Sequence, residues 1–145
     1  MDRPWLRALC PLRSAAPVTS DPTKRVLVVD DDKDVLRLIE KVLTPDGYDV
    51  VTQTDGEAAL QECENAPVAL ILLDLMMPRM DGETFLQRLN GRFGADAPPV
   101  VVLSGSFRRA DIARTPGVVG TLEKPFELED VRELVETLLV RPSRP

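Results

Sequence analysis

The chain has 145 residues, 43% of them hydrophobic and 29% charged, which suits one globular domain with a core of its own. A net charge of −6 argues against a nucleic-acid surface, and no apolar run approaches the ~18 residues of a membrane span. The chain has no histidine, which removes Ser-His-Asp and Cys-His catalysis and His-ligated zinc, and its two cysteines make no disulfide framework. A reducing cytoplasm is the simplest setting.

Residues 1–23 hold four prolines (Pro4, Pro11, Pro17, Pro22) and three arginines, and read as a disordered tail. Trp5, Leu6 and Leu9 form one apolar helical turn at most, because Pro11 ends it. A signal peptide is the other reading of this stretch, disfavoured because the apolar segment is short and interrupted by Arg7 and Arg13.

From Lys24 the pattern alternates regularly. "RVLVVD" reads as a buried strand, and "KDVLRLIEKVL" as a helix with Val35, Leu38, Ile39, Val42 and Leu43 at helical spacing. Asp32 is placed to cap that helix, and "PDG" stops it. "YDVVTQ" suits an outer strand, and "DGEAALQECENA" a helix ending near Pro67. "ALILLD" is a third strand, apolar on both faces. "GETFLQRLNGRF" is a helix with Phe85, Leu86 and Leu89 on one side, and "PPVVVLS" a fourth strand. "FRRADIART" reads as a short helix broken by Pro116-Gly117, and "GVVGTLEK" as a weaker fifth strand. "ELEDVRELVETLLV" closes the domain, with Leu128, Val131, Val135 and Leu138 inward, and "RPSRP" frays.

Strands alternating with helices imply a doubly wound α/β domain: five parallel strands with helices on both faces. The expected divisions are a tail over 1–23, the domain over 24–140 and a frayed end over 141–145.

The residues that end the strands carry the chemistry. The first strand runs into Asp30-Asp31-Asp32, the third into Asp74, the fourth into Ser104 and the fifth into Lys124. Ligands of open α/β sheets bind outside the carboxyl ends of the strands, so these groups are expected at one site. Two carboxylates ~4 Å apart repel by ~4 kcal/mol at an effective dielectric near 20. Three in one crevice need a cation or must give up charge. Lys124 offsets one unit, and a hard ion such as Mg²⁺ offsets more while leaving room for a phosphoryl group. Asp74 is then a nucleophile for phosphorus, with Ser104 and Lys124 to hold the phosphoryl oxygens.

"VLVVDDD", "ILLDLMMPRMDG", "VVLSGS" and "EKPF" together resemble the receiver domain of two-component response regulators. The resemblance implies a flavodoxin-like fold with strand order 2-1-3-4-5. It implies that Asp74 accepts phosphate from a histidine kinase or histidine phosphotransfer protein. It further implies that Asp31 binds Mg²⁺ directly, Asp30 mainly through water, and the Met76 backbone carbonyl as a further ligand. Ser104 matches the switch hydroxyl and Lys124 the pattern's lysine. Thr121 stands where the family usually carries Tyr or Phe, so the expected conformational readout is weaker than usual. No further domain follows the closing helix here, so the expectation is a stand-alone phosphoacceptor, not a turnover enzyme. A separate downstream effector would read it, with neither nucleic acid nor membrane as partner.

Two other readings compete. A haloacid-dehalogenase-like phosphatase would use Asp30 as nucleophile, but Lys33 and Asp34 follow where that class wants a Thr-type residue. A phosphorylation-independent interaction module would keep the acidic residues without using them.

Overall fold

The protein is described from a computed structural model over residues 24–75, 77, 80–104 and 114–140, with the side chains of Ser104 and Val140 outside the description. The expected tail over 1–23, the helix expected in "FRRADIART" (bar its last two residues) and the end at 141–145 therefore lie outside the described residues. So does Met76.

Five strands form one parallel sheet in the order β2-β1-β3-β4-β5. They are β1 (Arg25–Val29), β2 (Asp49–Gln53), β3 (Leu70–Asp74), β4 (Val100–Ser104) and β5 (Val118–Glu123). Four α-helices are described: α1 (Lys33–Leu43), α2 (Gly56–Asn65), α3 (Gly82–Phe93) and α4 (Leu128–Val135). A π-helical turn, Glu136–Val140, continues α4 where the sequence reads as one uninterrupted helix.

The continuous apolar runs of the central strands are explained by what lies on either side. Alternate residues of a strand point to opposite faces. Leu27, Val29, Ile71, Leu73, Val100 and Val102 pack with Ala59 and Leu60 of α2 and Phe85, Leu86 and Leu89 of α3. Val26, Val28, Leu70, Leu72, Val101 and Leu103 pack on the other side with Leu36, Ile39 and Leu43 of α1 and Val131 and Val135 of α4. β2 lies at an edge and is half-buried throughout, as its mixed sequence requires.

The helix starts are set locally. Asp32, Asp55 and Asp81 each accept a backbone N–H of the first turn of α1, α2 and α3. Asp32 thus takes the capping role read from sequence. Glu127 and Asp130 cap α4 reciprocally.

Three details depart from the sequence reading. In α1 the buried stripe is Leu36, Ile39 and Leu43, while Leu38 is 47% exposed. The apolar face of that helix is wider than the stripe that is covered, so periodicity alone does not say which part of it is buried. In β5 the register slips by one residue between Val100 and Val101, which pair with Val118 and Gly120, leaving Val119 half exposed. In the closing segment Val131 and Val135 are buried, but Leu128 and Leu138 are only half-buried.

Candidate functional site

The site forms where β1, β3, β4 and β5 end. Asp30 follows β1 and is fully buried; Asp74 ends β3 and is 3% exposed; Asp31 faces solvent. Each offers a carboxylate oxygen, and these oxygens lie within 4.8 Å of one another. Lys124, just past β5, reaches across the crevice: its Nζ donates to Asp30 Oδ2 at 3.0 Å and to Asp74 Oδ1 at 3.3 Å. The other oxygen of Asp30, Oδ1, accepts the Asp32 backbone N–H at 2.9 Å.

These bonds sort the three acids. Asp30 has both oxygens engaged and no exposure, so it anchors the lysine and the turn into α1. Asp74 shares the lysine at the mouth of the central strand. Asp31 is open to solvent. Partial burial works to lower the Lys124 pKa, but the hydrogen bond and charge of Asp30, then those of Asp74, outweigh it and hold the ammonium above its ordinary value. One ammonium cannot balance three carboxylates, and oxygen donors at this spacing are the chemistry of a hard divalent cation.

Of the other expected site residues, Ser104 ends β4, in register with Glu123 and so one residue from Lys124. Thr121 is half-buried in β5, paired with Val102. Met76 and the Ser104 side chain lie outside the described residues, so their distances to the acids do not enter.

Two supports were not anticipated from sequence. Gly82, first in α3, donates its N–H to the Leu75 carbonyl at 2.9 Å. A Cβ at Gly82 would lie 2.7 Å from Leu75 Cα and 3.2 Å from the Asp74 carbonyl oxygen, so only glycine lets α3 start this close to the end of β3. Beside the acids, Asp31, Lys33, Asp55, Gly56, Met77 and Met80 line a second hollow. The Asp-Gly pair at 81–82 was the signal for the first; nothing in the sequence marks the second.

Comparison with known proteins matches this geometry. The family model described as the response regulator receiver domain matches residues 26–136. The chain belongs to that family, the phosphoacceptor signalling modules of two-component systems. It is 33% identical over 120 residues to the alkaline phosphatase synthesis transcriptional regulatory protein PhoP of Bacillus subtilis, covering 81% of this chain and 49% of that one. It is 39% identical over 126 residues to the transcriptional regulatory protein PrrA of Mycobacterium tuberculosis, covering 85% and 53%. The chain thus spans about half the length of these curated relatives. Among solved structures, chemotaxis protein CheY4 of Vibrio cholerae superposes with a TM-score of 0.72 at 28% identity, covering 79% of this chain and 98% of that one. The Francisella response regulator 1452 receiver domain does so with a TM-score of 0.73 at 30% identity, covering 81% and 98%. Among the described residues no helix is long and apolar enough to cross a membrane.

Proposed function

We propose that Asp74 is the phosphoacceptor of this receiver. The observation that carries the reading is its position: a nearly buried carboxylate at the end of the central strand, sharing Lys124 with Asp30 and lying within ligand distance of Asp30 and Asp31. A carboxylate oxygen of Asp74 attacks phosphorus, the P–N bond of a donor phosphohistidine breaks, and the imidazole leaves with the bonding electrons. Lys124 is already aimed at Asp74 and shifts to pair with a phosphoryl oxygen, while Asp30 keeps its hydrogen bond to the same ammonium. Ser104, at the end of β4, supplies a hydroxyl to a second phosphoryl oxygen. Magnesium held by Asp31, Asp74 and the Met76 carbonyl, with Asp30 through water, would neutralise charge on the phosphoryl oxygens when bound.

The donor is a histidine kinase or a histidine phosphotransfer protein; this histidine-free chain cannot supply the phosphohistidine itself. The domain, taken as residues 24–140, loses its phosphoryl group slowly and does not turn over substrate. It acts in the cytoplasm and is read by a separate effector protein. Its net charge of −6 favours a protein over nucleic acid as that reader. Ser104 and Thr121 form the switch. Thr121 has no ring to turn inward, so the conformational change at β5 is modest. Asp30 is a poor nucleophile for the phosphatase alternative, being fully buried with both oxygens bonded.

The test is incubation with Mg²⁺ and acetyl phosphate or phosphoramidate, followed by mass spectrometry of the modified residue. Label should sit on Asp74 and vanish in Asp74→Asn with the fold retained. Stable, undiminished label in that variant defeats the assignment.

A further inference from the structure

Between α1 and the start of α4 runs an apolar groove of about 450 Å³ that shares only Lys124 with the acidic crevice. Its walls are Val35 and Leu38 on one side and Pro125, Phe126 and Leu128 on the other, and Asp32 and Lys124 lie at its polar end. Leu38, at 47% exposure, is one of two large hydrophobics left this open among the described residues. Within the chain one motif has the matching chemistry: Trp5, Leu6 and Leu9, spaced so that a single helical turn puts them on one side, flanked by Arg3 and Arg7. We propose that this amino-terminal motif docks in the α1–α4 groove of its own chain.

Charge and reach both favour it. The groove's ends are flanked by exposed carboxylates, Asp31 and Asp34 around Asp32, and Glu127 and Glu129 around Leu128. Arg3 and Arg7 complement them. Residues 10–24 separate Leu9 from β1, a tether of roughly 50 Å when extended. The groove lies at the far end of β1, only ~17 Å along a five-residue strand. The tether therefore reaches without strain, and its length costs little more closure entropy than a shorter one. The inference concerns packing alone and stands or falls without any phosphoryl chemistry.

Trp5 is the sole tryptophan of the chain, so its fluorescence reports the motif directly in the full-length protein. Acrylamide quenching of native protein should be severalfold weaker than of the same protein in denaturant, and independent of protein concentration. Leu38→Asp, at an exposed position of the groove, and Leu9→Ser, in the docking motif, should each raise quenching toward the denatured value. Native quenching already at that value overturns the proposal, as does shielding that survives either substitution. Shielding that fades on dilution also overturns it, because the groove would then be filled by a second copy.

Discussion

The two ends of β1 each hold a cation between two carboxylates, yet they are built for different ends. At the amino end Arg25 bonds Asp49 at 3.2 Å and Glu62 at 3.1 Å, and Gln53 donates to the second oxygen of Glu62. All three charged side chains there keep contact with water, at 19%, 34% and 26% exposure. At the carboxyl end Lys124 bonds Asp30 and Asp74, whose side chains are 0% and 4% exposed, with Asp31 close by. The first cluster is screened by solvent, so its excess negative charge is mild. The second keeps excess negative charge largely out of water. Surplus charge at a buried site costs stability, and it persists where a ligand or a reaction makes use of it.

The sharpest way to break this comparison is to remove each cation in turn. Lys124→Ala strands Asp30 in the interior and should cost about 3 kcal/mol in chemical denaturation without metal. Arg25→Ala should cost about 1 kcal/mol, because its acids remain hydrated. Equal losses would show that the two clusters are energetically alike. Gly82→Ala tests the support around Asp74 and should cost about 2 kcal/mol by forcing the start of α3 away from Leu75 and Asp74, read as a lower denaturation midpoint with an unchanged slope.

A smaller effect probes the surplus itself. Asp31→Ala removes one repulsion and should leave the metal-free protein unchanged or more stable by about 0.5 kcal/mol, while weakening Mg²⁺ binding in a titration. Loss of stability together with unchanged Mg²⁺ affinity would place Asp31 among the structural acids.

The smallest effect belongs to the amino end. Burial, then the charge of Glu62, pushes the Cys63 thiol up to about 12 against a smaller lowering by Arg25. The folded thiol keeps its proton while the unfolded one ionises above pH ~8.5, so this group's contribution to stability is intact below that pH and is lost as pH rises toward the folded value. Cys63→Ala should flatten the alkaline fall in stability. Iodoacetamide should label Cys63 in native protein far more slowly than in denatured protein, counted by mass spectrometry.

Much of this was legible in the chain itself. Apolar runs closed by Asp30, Asp74, Ser104 and Lys124 announce strands whose ends meet, because a parallel α/β sheet carries all its carboxyl ends on one side. Asp32 before an apolar helix announces a cap, and the short mixed run at 48–53 an edge strand. These are local signals, or consequences of topology that any sheet of this class obeys. Which acid Lys124 pairs with, and that Asp30 is sealed while Asp31 stays wet, depended on how residues 94 and 50 positions apart in sequence approach within 3.3 Å. The rotation of α1, with Leu36 inward and Leu38 open to a groove, and the slipped register at Val119 were likewise tertiary decisions. A helix whose apolar face is wider than the stripe that is covered and an edge strand half in water carry no local preference strong enough to choose; the packing of α4 and β4 against them does.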